Sequence, residues 1–174
     1  MSGTKLTIEE INSMSKIEFC KIFGNIVEHL TKATEEIEEL RPFEHVSQLE
    51  NLFCNFIEQL DVSEKKIILK NHPELTGEIY NEKILTTESQ NEQKIARINR
   101  MTTEEKKVFN NFNKLYKNKF SYPFVICVRE NSIASIITSV ESRLNNPRNV
   151  ELGIAIEEVK KISKLRLKDL VDYS

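Results

Sequence analysis

Apolar side chains recur at helical spacing along most of the chain. The clearest run starts at Val46, after which apolar residues return every three or four positions, as they do on one face of a helix. These residues are Leu49, Leu52, Phe53, Phe56, Ile57 and Leu60. An earlier run has the same spacing and comprises Phe19, Ile22, Phe23, Ile26, Val27 and Leu30. Each run predicts an amphipathic helix with one face toward a core.

Polar residues mark where several helices begin. In a capping box, a Ser or Thr and a Glu or Gln three residues later satisfy backbone N–H groups at the helix start. The pattern occurs at Thr7 with Glu10, at Ser15 with Glu18 and at Thr87 with Gln90. The last pair predicts a helix that continues to about Arg100, and the stretch from Thr102 to Glu105 predicts the start of the next helix.

The chain from Thr102 to Phe120 is predicted to be helical and then to change character. The inward face of this helix would carry Val108, Phe109, Phe112, Leu115 and Tyr116. Ser121-Tyr122-Pro123 ends the helix, and residues 124–128 are apolar at every position. Such a run is typical of a buried strand, but no second run of this quality is available to pair with it. We therefore predict an extended buried segment over about residues 121–129.

The remaining patterns complete a helical fold. Helices are predicted over residues 63–70, from Ser132 to about Asn145 and from Val150 to Val159. An apolar tail that would dock on the core follows, with Leu165, Leu167, Leu170 and Val171. Only 4 Gly and 4 Pro in 174 residues favour long helices over a many-stranded fold. The prediction is a single compact all-α domain over residues 1–174, with about eight helices.

Composition and charge narrow the function classes. Charged residues make up 30% of the chain and apolar residues 39%, which is ordinary for a soluble globular protein. The net charge of -2 argues against nucleic-acid binding, which calls for a basic surface. No apolar run reaches the ~20 residues of a membrane span, and no secretory signal is recognisable. We therefore expect a soluble, intracellular protein.

The cysteines and histidines do not form a metal-binding pattern. Cys20, Cys54 and Cys127 are far apart in apolar surroundings, which is typical of free thiols in a reducing compartment. The three histidines are scattered and no C-x-x-C pair occurs, so we predict no metal site. Cys127 is an alternative candidate as a nucleophile, but an apolar setting disfavours the thiolate and makes a thiol inert.

One histidine has a restricted backbone. His72 is followed by Pro73, which disfavours helical angles at the residue before it and so fixes the imidazole at a helix-ending bend. Histidine gives or takes a proton near neutral pH because its unperturbed pKa is about 6.5. On the sequence pattern alone, a packing or helix-terminus role explains His72 about as well as catalysis.

A polar triplet follows on the next helix. Ser89, Glu92 and Gln93 are spaced i, i+3 and i+4, so they share a helix face. If this face lies opposite His72, Glu92 would hold one ring nitrogen and leave the other as an acid. The alternative, a solvated opening turn, is the commoner use of such a triplet. The run 124–128 would likewise leave backbone groups that need partners, which a polar heterocycle beside it would supply.

Several stretches, in order along the chain, resemble one enzyme family. His72-Pro73-Glu74-Leu75 and the run from Leu85 to Gln93 resemble 2-oxo-4-hydroxy-4-carboxy-5-ureidoimidazoline (OHCU) decarboxylase. The resemblance extends to residues 19–24, 27–29, 41–43, 119–124, 128–129, 143–146 and 161–167. Because it is nearly full length and has no large insertion, it is far more specific than any one motif.

The resemblance implies a reaction and a site. The reaction is loss of CO₂ from OHCU to give (S)-allantoin in urate degradation, by all-α homodimers without a cofactor. His72 is implied as the catalytic proton donor, together with Glu92. The implied substrate-binding residues are Pro73, Ser89, Gln90, Asn91, Glu92, Gln93, Phe124, Val125, Ile126, Cys127, Val128 and Arg166. The expected partners are a small-molecule substrate and a second copy of the chain, not nucleic acid or a membrane.

The chain departs from the family pattern at three positions. Glu74 stands in place of the usual Asp, Arg97 in place of a small residue and Ser121 in place of Gly. None of these changes removes an implied catalytic group. The C-terminal residues lack a Ser-Lys-Leu type peroxisomal signal, so the cytoplasm is at least as well supported as the peroxisome. The alternative function is a non-catalytic helical interaction module that has kept the fold.

Overall fold

Helices dominate the chain. The computed structural model describes residues 5–75, 86–96 and 98–174, apart from the side chain of Asn99. Within these ranges the α-helices are α1 Ile8–Ser13, α2 Lys16–Phe23, α3 Thr31–Glu38, α4 Val46–Gln59, α5 Val62–Asn71, α6 Thr87–Ile95, α7 Thr103–Phe120, α8 Ile133–Arg143 and α9 Arg148–Leu170. The predicted all-α fold is confirmed, with nine α-helices instead of about eight and no named strand in the described ranges.

The backbone forms two compact units. The first comprises Met1–Val62 with Lys160–Ser174, and the second comprises Ser63–Val159. Helix α9 begins in the second unit and ends in the first. The single domain predicted over residues 1–174 stays a prediction.

Helix starts in the first unit follow the predicted caps. Both side chains of the capping boxes at Thr7 and Ser15 bond the backbone as expected. In the core of this unit, the Phe19 ring centroid lies 4.7 Å from that of Phe23 and 6.1 Å from that of Phe43. The Arg41 guanidinium lies 5.4 Å from the Phe19 ring centroid. The positively charged group thereby packs against the face of the Phe19 ring.

The helix predicted to run from Phe19 to Leu30 is shorter than expected. Helix α2 ends at Phe23, and the amide N–H of Ile26 bonds the Phe23 carbonyl three residues back, as in a turn. The Thr34 hydroxyl also donates to the Phe23 carbonyl oxygen at 3.0 Å, which gives the helix end a tertiary partner. The chain therefore turns here and begins α3, a helix that the sequence pattern does not predict.

Helix α7 presents one buried face to the core of the second unit. Thr102 and Glu105 form its capping box, as predicted. Phe109, Asn113, Tyr116 and Phe120 are its buried residues. Leu115, which was expected to point inward, is 56% exposed. It lies one residue, or about 100°, around the helix from Tyr116. The inward position between Phe109 and Tyr116 belongs to Asn113, which the apolar pattern did not include.

The chain reverses sharply after α7. Ser121 has left-handed backbone angles, φ 70° and ψ 20°, and its amide N–H donates to the Lys117 carbonyl oxygen at 2.9 Å. The reversal brings Tyr122 and Phe124 back onto Tyr116, with ring centroids 6.0 and 5.2 Å away. Residues 122–128 are all buried, and the stretch before the 3₁₀ turn Val128–Glu130 is neither helix nor strand. The predicted buried segment is confirmed.

Two predicted helices have different bounds. The Thr86 hydroxyl accepts from the Ser89 N–H at 3.2 Å, so Thr86, and not Thr87, is the N-cap of α6. This helix ends at Ile95, and a separate 3₁₀ turn covers Ile98–Arg100. The helix predicted to end at Val159 continues to Leu170 instead, because residues 159, 162, 163, 166 and 167 are buried at helical spacing. The apolar tail is thus part of α9.

We expect Ser121→Gly to stabilise the protein. Left-handed angles cost an ordinary residue roughly 1–2 kcal/mol, and glycine is the favoured residue at this position after a helix. Because the Ser121 side chain is exposed, the substitution removes little packing. The free energy of unfolding in urea should rise by about 0.5–1 kcal/mol.

Lys114→Gly is the matched control for that measurement. Lys114 is exposed and lies inside α7, where glycine costs about 1 kcal/mol relative to a good helix former such as lysine. The two substitutions should therefore move the urea midpoint in opposite directions. A loss of stability at both positions would contradict the interpretation of the Ser121 backbone.

Candidate active site

Helix α5 ends by placing His72 in a buried position. The side chain is 7% exposed, and its Nδ1 lies 3.0 Å from the carbonyl oxygen of Ile68, one helical turn earlier. Because a carbonyl oxygen only accepts, a ring bonded there carries a proton on Nδ1. The main chain thus holds one ring nitrogen, and the expectation that Glu92 holds a ring nitrogen stays a prediction.

The three polar residues of α6 are buried. Ser89 and Gln93 are each 3% exposed and Glu92 is 8% exposed, so the alternative of a solvated face does not hold. Gln90 and Asn91, between them in sequence, are exposed. Helix α6 packs against the 3₁₀ turn Val128–Glu130, at the end of the buried segment. The structure therefore brings the α6 face and the predicted second binding segment together.

The buried segment is held through its backbone. The Phe124 N–H donates to Asn113 Oδ1 at 3.4 Å, and the Val125 carbonyl accepts from Arg143 Nη1 at 2.9 Å. The Cys127 N–H donates to Glu158 Oε2 at 2.8 Å. These polar side chains were not predicted from the sequence. They already occupy backbone groups of Phe124, Val125 and Cys127.

A buried charge network supports the segment from behind. Glu151 is fully buried and accepts from Arg143 Nε at 2.8 Å, from Asn146 Nδ2 at 2.8 Å and from the Tyr116 hydroxyl at 2.5 Å. The Arg143 guanidinium also lies 4.4 Å from the Phe124 ring centroid. Burial raises the pKa of Tyr116, so its hydroxyl keeps its proton and acts as a donor.

Cys127 is chemically quiet. The residue is 1% exposed, and burial raises the pKa of its thiol to about 11. The carboxylates of Glu130, Glu158 and Glu92 contribute to this raised pKa by repelling a thiolate. The effect of Glu92 also shows that the α6 carboxylate lies within electrostatic range of the segment. The thiol is therefore a packing group, as the apolar surroundings in the sequence indicate.

Arg166 lies in the first unit, where it is 3% exposed. Its Nη2 lies 2.7 Å from Glu28 Oε2, and its Nη1 donates to the Asn25 carbonyl oxygen at 2.6 Å. Glu28 itself is 1% exposed, so the two charges form a buried ion pair. The role of Arg166 toward a substrate stays a prediction.

Some sequence predictions fall outside the described residues. They are the motif residue Leu85 and the departure at Arg97. Among the described residues, no group of three or more His, Cys, Asp or Glu side chains has the arrangement to hold a metal ion. No helix in the described ranges is long and apolar enough to cross a membrane.

A family model for OHCU decarboxylase matches residues 12–168. The chain belongs to the OHCU decarboxylase family. Its similarity to 2-oxo-4-hydroxy-4-carboxy-5-ureidoimidazoline decarboxylase of Xenopus laevis is 41% identity, over 95% of this chain and 94% of the relative. The mouse decarboxylase is 38% identical, over 93% and 91%. A uric acid degradation bifunctional protein of Bacillus is 31% identical, over 95% of this chain and 32% of its own length.

Solved structures share the fold of this OHCU decarboxylase family member. An (S)-allantoin synthase has a TM-score of 0.77 at 22% identity, over 96% of this chain and 54% of the other. An OHCU decarboxylase crystallised in the presence of (S)-allantoin has a TM-score of 0.70 at 21% identity, over 86% and 96%. At these identities the likeness concerns the fold. The suspected family is confirmed.

We expect Cys127 to resist alkylation in the folded protein. At pH 8, a thiol with a pKa about 3 units higher is about 0.1% thiolate, and burial also blocks the reagent. Peptide mapping after iodoacetamide treatment should show Cys127 unmodified in native buffer and fully modified in urea. Equal modification in both conditions would contradict the burial of this thiol.

Proposed function

We propose that this chain decarboxylates OHCU to (S)-allantoin and CO₂, with His72 as the general acid. The observation that carries the proposal is the hydrogen bond from His72 Nδ1 to the Ile68 carbonyl. It orients the ring, and we assign the delivery of the proton to Nε2. The membership of the OHCU decarboxylase family and the burial of the ring support the same assignment.

The substrate supplies its own electron sink. When the bond to the carboxylate carbon breaks, CO₂ leaves and the electron pair moves into the adjacent ring C=N. The ring nitrogen that receives the pair and the ureido-bearing ring carbon each take up a proton, and the 4-hydroxyl group loses one as it becomes a ring carbonyl, so that one proton is consumed overall. The protein has to orient the carboxylate, stabilise the developing charge and deliver that proton to one face. These tasks call for acid–base and hydrogen-bonding groups, and we propose that no cofactor takes part.

The buried face of α6 would bind the polar groups of the substrate. Ser89 offers a hydroxyl and Gln93 an amide, which match the carbonyl and urea groups of OHCU. We assign Glu92 to the catalytic pair with His72, where its carboxylate would stabilise the imidazolium before proton transfer. Gln90 and Asn91 are exposed, and the Gln90 N–H donates to the Thr86 carbonyl oxygen, so their part in binding is proposed from the family resemblance.

The segment from Phe124 to Val128 would form the opposite wall of the site. Asn113, Arg143 and Glu158 fix its backbone, which makes the remaining groups a rigid set of donors and acceptors. Rigid donors stabilise developing charge without reorganising during the reaction. Pro73, half-buried beside His72, would line the pocket. Arg166 is proposed as a substrate-binding residue from the family resemblance.

We expect loss of stereospecific turnover in His72→Asn. The Asn side chain keeps a donor near the position of Nδ1, so the bond to Ile68 can persist, but it has no counterpart of the acidic Nε2–H. Because acid catalysis contributes about 10²–10⁴-fold, kcat should fall by at least 10²-fold. Circular dichroism of freshly generated OHCU would follow the (S)-allantoin signal, since uncatalysed decay gives a racemate.

The pH profile provides the control for this assignment. A general acid must be protonated, so wild-type kcat should be highest at low pH and fall as the ring loses its proton. His72→Asn should lack that decline. Near-normal turnover by this variant would remove His72 from the chemistry. A wild type that leaves only racemic decay would instead favour the non-catalytic interaction module.

The chain is further proposed to act as a homodimer, in the cytoplasm or the peroxisome, on a small-molecule substrate. The homodimer is proposed from the family resemblance. Sedimentation velocity at micromolar concentration should give twice the mass of the chain. A single species with the mass of one chain across that range would contradict the dimer.

A further inference from the structure

We infer that Asn113 is a positioning residue. It ties the His72 segment, residues 72–74, to the Phe124–Val128 segment and so sets the geometry of decarboxylation. Its side chain is 5% exposed on the buried face of α7. Nδ2 donates to Glu74 Oε2 at 3.3 Å, and Oδ1 accepts from the Phe124 N–H at 3.4 Å. One amide thus bonds both segments. The inference rests on the proposed function.

The chemistry of the two partners requires an amide at this position. The Phe124 N–H needs an acceptor, and the Glu74 carboxylate needs a donor. A carboxylate at position 113 would satisfy only the first partner, and an apolar side chain would satisfy neither. The partners also determine which end of the amide faces which segment, so the side chain has a single productive orientation.

A second residue of α7 also bonds Glu74. Lys117, one turn after Asn113, bonds Oε1 of the same carboxylate. Glu74 lies two residues after His72 and is joined to it through Pro73, whose ring limits backbone freedom. Helix α7 therefore fixes the position of the His72 segment. Glu74 is one methylene longer than the Asp that the family resemblance leads us to expect, so its carboxylate reaches farther toward α7.

Helix α7 also fixes the position of the Phe124–Val128 segment. The Phe124 ring lies edge-on to Tyr116 at 5.2 Å and to Phe109 at 6.3 Å between centroids, and Asn113 lies between these two residues on α7. The rings fix the Phe124 side chain, while Asn113 fixes its backbone N–H. A misplacement of about 1 Å between an acid and its substrate can cost about 10²-fold in rate. An interaction that holds both walls to one helix therefore bears on kcat.

The test exchanges the donor and the acceptor. In Asn113→Asp, position 113 presents a carboxylate to Glu74 and the link is lost to repulsion. Adding Glu74→Gln returns a donor, now on the other side of the bond. We expect Asn113→Asp to lower kcat by about 10–100-fold, with a smaller change in KM, and the double variant to recover most of that loss. Glu74→Gln alone should lower kcat by less than Asn113→Asp does, because the Gln amide oxygen can accept from only one of the two donors, Asn113 and Lys117.

Asn111→Asp is the matched control. It makes the same chemical change two residues away, at an exposed position of α7, and should leave kcat and KM unchanged. If Asn113→Asp does not fold, Glu74→Ala breaks the same link from the less buried side and should lower kcat in the same way. Urea unfolding of each variant separates folding from positioning.

The outcomes for this inference and for the proposed function can be told apart. A loss of kcat in Asn113→Asp with recovery in the double variant supports the inference. Unchanged kcat in Asn113→Asp, or in Glu74→Ala if only that variant folds, overturns it, as does a loss that Glu74→Gln does not repair. Those results leave the proposed function intact as long as the wild type produces (S)-allantoin. A wild type without turnover would refute the proposed function, and this inference with it.

Discussion

The second unit depends on how a buried, non-helical run satisfies its backbone. Residues 122–128 have no helix or strand to pair their N–H and C=O groups, and an unpaired buried group costs about 1–3 kcal/mol. Side chains from three helices meet this need, namely Asn113 of α7, Arg143 of α8 and Glu158 of α9. The polar residues in this core are therefore consequences of the segment, and Arg143 in turn requires Glu151 to balance its charge.

Local chemistry explains which parts of the fold were predictable. The caps at Thr7, Ser15 and Thr102 involve residues three apart, so the sequence contains both partners. At α6, two adjacent threonines offer competing caps, and only the three-dimensional structure distinguishes Thr86 from Thr87. Helix α3 escaped prediction because Thr34 and Glu38 occupy half of its buried face. Thr34 bonds the Phe23 carbonyl 11 residues away and Glu38 pairs with Arg41 just after the helix, and an apolar pattern detects neither contact.

The candidate site shows the same division. The buried face of α6 and the position of His72 follow from residue spacing and from Pro73, and the structure places them as buried groups. The partner of His72 Nδ1 is a main-chain carbonyl, which cannot be predicted from residue types. Asn113 did leave a signal, since a polar residue stands four positions after Phe109 and three before Tyr116 on an otherwise apolar face. Its two partners are 39 and 11 residues away, and only the tertiary structure identifies them.

The reversal at Ser121 separates local contacts of the site wall from distant ones. Because the chain turns back directly after α7, the rings of Tyr116, Phe120, Tyr122 and Phe124 meet, and at most eight positions separate them in sequence. Closing so short a loop takes about 10–100 ns, and local contacts cost little chain entropy. The Glu158 carboxylate, by contrast, bonds the Cys127 N–H from 31 residues away. The wall of the candidate site thus combines an aromatic cluster that is local in sequence with charges that come from distant parts of the chain.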